Sequence, residues 1–139
     1  MVAVRICNVA SGKFLANPQG SKTNGERIIQ SDSTGGSEQL WEMEKGPHGH
    51  NRFRNKESWL LLANSESSQN NGGVICQYSE TGGTEQEWLI ERQATGEVKI
   101  RNFASRKLLA NPEASLDNGT VMIQYQDTGG PEQLWTFYM

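Results

Sequence analysis

The residues that could do chemistry in this chain recur at a fixed spacing of 47 positions. A glutamate and a glutamine stand at the same point of each interval; these residues are Glu38, Gln39, Glu85, Gln86, Glu132 and Gln133. Carboxylates and amides can replace water around the hydroxyl groups of a polar ligand. Glycoside hydrolysis needs two carboxylates close together, which three symmetry-related copies do not readily supply. The pattern therefore favours binding over catalysis.

Other reactive side chains form no catalytic set. His48 and His50 lie in residues 45–51, the one long irregular stretch, and two imidazoles without a third ligand favour an exposed, solvated loop over a metal site. Cys7 and Cys76 occupy non-equivalent points of the repeat, which excludes a disulfide scheme repeated in each copy. They are expected to be reduced thiols packed as small hydrophobes. We predict no enzyme activity and no cofactor or metal.

Charge and hydropathy narrow the class of partner. The net charge of -3 argues against nucleic acid or an anionic membrane, whose binding depends on Lys and Arg. No apolar stretch approaches the roughly 20 residues that cross a bilayer, so membrane insertion is not expected. Residues 1–5 do not resemble the start of a signal peptide. The expected location is the cytoplasm, or outside the cell by non-conventional secretion, unless a leader is missing.

The elements that position these residues follow the same period. In the third copy, alternation over 99–102 and apolar residues over 107–111 indicate two strands. Asn118-Gly119 is a strong turn signal, and the chain then reverses into a strand over 121–125. A fourth strand begins at Trp135. The other copies repeat this order, with repeats at about 1–47, 48–94 and 95–139.

Four strands in each of three repeats give about twelve strands and an all-β fold. One repeat cannot bury its own apolar face, so the repeats must pack together. Closing them around a pseudo-threefold axis also removes free sheet edges. The sequence therefore predicts a single β-trefoil domain over residues 1–139.

The three Gln-x-Trp motifs, each preceded by an Asn-Gly turn and a Gly-Gly loop, resemble those of ricin B-chain type β-trefoil lectins. Such domains also occur as carbohydrate-binding modules on bacterial glycosidases. The resemblance covers essentially the whole chain and implies a non-catalytic protein that binds glycans or glycoconjugates. It also implies that Trp41, Trp88 and Trp135 belong to the hydrophobic core.

The resemblance places sugar contacts at three points of each repeat. An aromatic residue at the end of the third strand would pack against the apolar face of a pyranose, and this position holds Tyr78, Tyr125 and, in repeat one, Ser31. The position before the glutamine holds Glu38, Glu85 and Glu132, which can accept hydrogen bonds from hydroxyl groups. Repeat one therefore lacks the aromatic platform.

The third position departs from the family pattern. The family has an aspartate there that contributes to selectivity for galactose-like sugars, whereas this chain has Ala16, Ala63 and Ala110. Two roles stay open for the asparagines that follow, which either contact the sugar or cap the next turn; they are Asn17, Asn64 and Asn111. The glutamines Gln39, Gln86 and Gln133 likewise either reach the sugar or hold the Gly-Gly loop.

Two functions follow as hypotheses. The first is a glycan-binding lectin with two or three weak sites, one per repeat, of a galactose or N-acetylgalactosamine type modified by the missing aspartate. The second is a β-trefoil that binds a protein, such as a protease inhibitor, because trefoils carry many functions on their loops. Its contacts would lie on the loop at 45–51 or on the repeat-one surface.

Overall fold

Short apolar runs between turn residues form twelve β-strands in the computed structural model, which describes residues 2–139. The strands are β1 Val2–Asn8, β2 Phe14–Ala16, β3 Ile29–Ser31, β4 Trp41–Lys45, β5 Asn51–Asn55, β6 Leu61–Asn64, β7 Ile75–Tyr78, β8 Trp88–Arg92, β9 Val98–Asn102, β10 Leu108–Ala110, β11 Ile123–Tyr125 and β12 Trp135–Tyr138. Six 3-10 helices of three residues each join them, at Pro18–Gly20, Ser37–Gln39, Ser65–Ser67, Thr84–Gln86, Pro112–Ala114 and Pro131–Gln133. No helix in this part of the chain is long and apolar enough to span a membrane.

Six of the strands close into an antiparallel barrel. The ring of hydrogen-bonded neighbours runs β1, β4, β5, β8, β9, β12 and back to β1. The remaining strands form the hairpins β2–β3, β6–β7 and β10–β11. Single bridges link each hairpin to the next, at Arg27–Cys76, Val74–Ile123 and Ile29–Val121. This is the architecture of a β-trefoil, as the repeats predicted.

The three tryptophans of the Gln-x-Trp motifs fill the centre of the barrel. Trp41, Trp88 and Trp135 are completely buried and each begins a barrel strand. They pack with a cluster of aliphatic side chains and Phe53. The expected core position of these residues is confirmed, so the indoles are unavailable as a sugar platform.

One local expectation needs correction. Residues 45–51 are not irregular, since the amide of Gly46 donates to the carbonyl of His50 and closes a β4–β5 hairpin. The same hairpin recurs between β8 and β9, where Gln93 donates to Glu97. Cys7 and Cys76 are free and buried, as expected, and burial raises the pKa of both thiols.

Candidate functional site

A pocket of about 370 Å³ opens at the place where the sequence puts the repeat-three ligand residues. We call it the repeat-three pocket. Ala110 at the end of β10 and Tyr125 at the end of β11 line it, together with Thr128, Glu132 and the turn residue Pro112. The strand ends therefore bring Tyr125 and Glu132 to one concave surface.

The corresponding pocket of repeat two has a volume of about 350 Å³. This repeat-two pocket is lined by Ala63 at the floor, by Tyr78, and by Thr81 and Glu85 from the β7–β8 loop. The alanines at the aspartate position thus form part of both pockets. No carboxylate projects from the floor strand in either repeat.

The two tyrosines are the exposed aromatic residues of these pockets. Tyr78 is 42% exposed and Tyr125 is 37% exposed, although the neighbouring strands are buried. Each tyrosine pairs in register with a fully buried leucine of the adjacent strand, Leu61 or Leu108. A rigid hairpin therefore holds each phenol ring at the pocket with part of its surface available to a ligand.

The carboxylates that precede the glutamines are held in place by a threonine of the same loop. The hydroxyl of Thr128 donates to Oε2 of Glu132 over 2.6 Å, and the hydroxyl of Thr81 donates to Oε2 of Glu85 over 2.6 Å. A side chain at Gly130 would overlap the Glu132 carboxylate in its present position, so glycine there leaves room for this orientation of the carboxylate. The threonines were missed from sequence, although Thr-Gly-Gly recurs in every repeat.

The asparagines are buried at the pocket walls, where Asn64 lines the repeat-two pocket and Asn111 lines the repeat-three pocket. Asn64 is completely buried; its Nδ2 donates to the carbonyl of Ser68 over 2.8 Å and lies 3.3 Å from Oδ1 of Asn102. Asn102 in turn donates to the carbonyl of Glu85 over 3.0 Å. Asn17 and Asn111 are buried in the same arrangement. In this conformation their side chains support the turn after the second strand.

The glutamines hold the Gly-Gly loop from the inside. Gln133 accepts a hydrogen bond from the amide of Thr128 over 2.8 Å and donates to the carbonyl of Gln126 over 2.7 Å. Gln39 and Gln86 make the same pair of contacts in their repeats. All three are at least 99% buried, with exposed fractions of 0% or 1%. The structure therefore brings an exposed tyrosine and a glutamate together in both pockets, with a buried asparagine beside them and, in repeat three, the buried Gln133 as well.

The asparagine of an Asn-Gly turn accepts a hydrogen bond from the backbone just after the third strand of the next repeat, a contact that was not predicted from the sequence. Oδ1 of Asn71 accepts a hydrogen bond from the amide of Gln126, directly after Tyr125, over 2.9 Å. Asn24 binds the amide of Ser79, directly after Tyr78, over 2.8 Å. Each tyrosine thus depends on a turn from the preceding repeat for its position.

Repeat one carries an ion pair in place of an aromatic platform. Ser31 ends β3, and Nζ of Lys13 lies 2.7 Å from the Asp32 carboxylate that follows. The hydrogen bonds from Lys13 and Asn118 hold the pKa of Asp32 below its usual value. Glu38 keeps its bond from Thr34, so only the stacking surface is absent from the expected ligand positions of this repeat.

The two loop histidines, His48 and His50, donate hydrogen bonds to the buried carboxylate of Glu87. The Glu87 side chain is fully buried and accepts hydrogen bonds from the backbone amides of His48 and His50, and from Nδ1 of His48. The ring of His50 also packs against Phe103, with centroids 4.1 Å apart. The leucines Leu40 and Leu134 stand at the positions equivalent to Glu87, so this contact belongs to one repeat alone.

The barrel, the hairpin cap and the pockets beside the hairpin ends define a β-trefoil of the lectin class. The family model described as "Ricin-type beta-trefoil lectin domain-like" matches residues 2–78, 37–125 and 84–138. The chain belongs to this family.

Solved structures share the fold over nearly the whole chain. A designed threefold symmetric protein, ThreeFoil, has a TM-score of 0.95 at 28% identity, with 99% of this chain and 98% of that chain covered. An exo-β-1,3-galactanase from Clostridium thermocellum has a TM-score of 0.95 at 29% identity; the match covers 100% of this chain and 30% of the galactanase. A ricin B-like lectin from Macrolepiota procera, in complex with lactose, has a TM-score of 0.84 at 18% identity, with coverages of 98% and 94%. No curated protein matches the chain significantly in sequence.

Proposed function

We propose that this protein is a non-catalytic lectin that binds glycans in the repeat-two and repeat-three pockets. The observation that carries the proposal is the exposed tyrosine in each pocket, opposite a glutamate whose carboxylate is oriented by a threonine. A pyranose has an apolar face that packs on an aromatic ring, and hydroxyl groups that need acceptors. Tyr78 and Tyr125 supply the ring, while Glu85 and Glu132 supply the acceptors.

The buried residues of each pocket act by positioning the contacting ones. The asparagines hold the turn at one rim, and the glutamines hold the loop that carries the glutamate. The glutamines are engaged within the protein, so the exposed contact set for the sugar is the tyrosine, the glutamate and the threonine. Oδ1 of Asn64 and Oδ1 of Asn111 lie at the same pockets without a hydrogen-bond partner in the part of the chain that the structure describes, and are further acceptors there. The exposed set is smaller than one with a floor aspartate, which favours weak binding at each site.

The affinity of one site is expected to be about millimolar to tens of micromolar, typical of one ring contact and a few hydrogen bonds to a hydrated ligand. Two such pockets on one chain raise the avidity for a multivalent glycan surface. Repeat one contributes less because Ser31 replaces the aromatic residue. Galactose-type sugars are the first ligands to test, since the Macrolepiota procera structure contains lactose.

A glycan array with single variants tests the proposal. Tyr125→Ala and Tyr78→Ala are each expected to keep the fold and to weaken the array signal by removing one of two sites, and the double variant is expected to lose the signal. Tyr138→Ala is the matched control, because Tyr138 is 51% exposed but lies outside both pockets. An unchanged binding profile in a folded double variant would refute the assignment. A blank array for the wild-type protein would favour the protein-binding alternative.

A further inference from the structure

A second pocket adjoins the repeat-two pocket and shares part of its wall. It has a volume of about 480 Å³, and Gly25, Ser65 and Glu66 line both cavities. We call it the adjoining pocket. Gly25 has no side chain, so the wall between the Tyr78 surface and this space is low at that residue. The two cavities are therefore direct neighbours in repeat two, and we call them together the repeat-two groove.

Arg27 from repeat one lines the adjoining pocket. Its backbone bridges to Cys76 of β7, two residues before Tyr78. Its side chain is exposed, and among residues 2–139 it makes no ion pair. A guanidinium carries five N–H donors in a planar fork. Arg27 thus presents free donors to the groove.

The other two repeats lack this group. The positions equivalent to Arg27 are Val74, which bridges to Ile123, and Val121, which bridges to Ile29. A valine offers no side-chain hydrogen bond. The chain therefore provides its own comparison, in which the repeat-three pocket keeps the tyrosine and glutamate but has no donor at the corresponding neighbouring position.

The remaining polar groups of the adjoining pocket indicate the kind of ligand. Glu66 is exposed and unpaired among the described residues, and the hydroxyls of Ser65 and Ser68 stand beside it. A free carboxylate disfavours an anionic ligand, because like charges repel in a partly desolvated site. Donors and acceptors together suit the neutral hydroxyl groups of a further sugar unit.

We propose, on the basis of the proposed function, that the repeat-two site binds neutral oligosaccharides of at least two units. The first unit packs on Tyr78 and bonds to Glu85. The second unit occupies the adjoining pocket, where Arg27 donates to its hydroxyl groups and Glu66 accepts from them. The repeat-three site binds one unit only, so the two pockets of one chain differ in the length of glycan that they recognise.

Calorimetric titration of single-site variants tests this difference. Tyr125→Ala isolates the repeat-two site and Tyr78→Ala isolates the repeat-three site. The probes are matched pairs of monosaccharide and disaccharide: galactose and lactose, glucose and maltose, and N-acetylglucosamine and chitobiose. Lactose carrying a sulfate group serves as the anionic counterpart.

The disaccharide of the bound pair is expected to bind the repeat-two site about threefold to tenfold more tightly than its monosaccharide, the effect of one or two added hydrogen bonds. Adding Arg27→Val is expected to remove this gain and leave monosaccharide affinity unchanged. The repeat-three site is expected to show no gain.

Three outcomes would overturn the inference: a gain that survives Arg27→Val, an equal gain at the repeat-three site, or a preference for the sulfated probe. Monosaccharide binding without any gain from the disaccharide would leave the lectin proposal intact and refute the longer site alone. Absence of binding by every probe would contradict both.

Discussion

The indole Nε1 of Trp135 donates a hydrogen bond to the carbonyl oxygen of Leu109 over 3.1 Å. The same bond joins Trp88 to Leu62 and Trp41 to Leu15, also over 3.1 Å. Each tryptophan thus links the barrel strand that it begins to the second strand of its repeat, for example β12 to β10 in repeat three. The end of that second strand forms the pocket floor. The tryptophan of the Gln-x-Trp motif thus connects the core to the strand that carries the pocket.

Trp88→Ala is expected to lower the free energy of unfolding by roughly 3 to 5 kcal/mol, because it leaves a large cavity in the barrel. Denaturant titration followed by circular dichroism measures the change. Trp59→Ala is the matched control, since Trp59 is 53% exposed and the ammonium group of Lys56 lies 4.9 Å from its ring centroid. The control is expected to cost less than about 1 kcal/mol. Equal losses in both variants would contradict the core role.

The barrel and its strands could be predicted because their signal is repeated and local. Gln-x-Trp, Asn-Gly and the apolar runs each appear three times, so the three copies confirm one another. The hydrogen-bond partners of the Asn64 side chain could not be predicted in this way. Ala63 and Asn64 are adjacent, buried and at the edge of the same pocket. The bond from Nδ2 of Asn64 to the carbonyl of Ser68 forms only when the turn at 65–68 has folded, so the sequence does not reveal it.

Contacts between repeats were also beyond the reach of the sequence. Asn24 is 55 positions from Ser79, and the bond between them forms only when the barrel closes. The same is true of Arg27. The sequence indicates only a strand residue, whereas in the structure its bridge to Cys76 places it beside the pocket of another repeat. Pocket composition in a closed repeat fold depends on neighbours that a repeat-by-repeat alignment does not compare.

Gln133→Leu is expected to loosen the loop of the repeat-three pocket. The substitution removes the acceptor for the amide of Thr128 and the donor to Gln126, and each unpaired buried group costs about 1 to 3 kcal/mol. Hydrogen exchange at the Thr128 amide is expected to accelerate, and glycan binding at that pocket to weaken. The Thr81 amide in repeat two is the internal control and should not change. Equal protection of both amides would argue against the role of Gln133 in holding the loop.

Ala114→Gly is expected to stabilise the protein by about 0.5 to 1 kcal/mol. Ala114 has a φ of 53°, in the left-handed region that costs a non-glycine residue roughly 1 to 2 kcal/mol. Relief of this cost exceeds the entropy that glycine adds to the unfolded chain. The equivalent residue of repeat one is already glycine, with a φ of 64° at Gly20.

Gly20→Ala provides the reverse test. It introduces the same backbone cost, and its Cβ would lie 3.2 Å from Cγ of Glu57. The expected result is a melting temperature that rises for Ala114→Gly and falls for Gly20→Ala. A shift of the same sign in both variants would exclude the conformational explanation.

Glu87→Gln is expected to flatten the acid limb of the stability curve. Burial raises the pKa of Glu87, but the side-chain bond from His48 and the backbone amides of His50 and His48 outweigh it, so that the pKa lies below its usual value. A carboxyl whose pKa is lowered by folding stabilises the protein at pH values above the unfolded pKa of about 4.3. That contribution is lost as the pH falls through the folded pKa.

The free energy of unfolding of wild type is therefore expected to decline from about pH 5 downwards, and Glu87→Gln to decline less over the same range. At pH 7 the variant is expected to be the less stable of the two, because glutamine accepts more weakly from the loop amides than a carboxylate does. Denaturant titrations at several pH values measure both curves, and hydrogen exchange at His48 and His50 reports the loop directly. If the stability of the two proteins falls equally with decreasing pH, Glu87 does not contribute to acid sensitivity. The acid sensitivity would then come from other ion pairs, such as Lys99–Asp127.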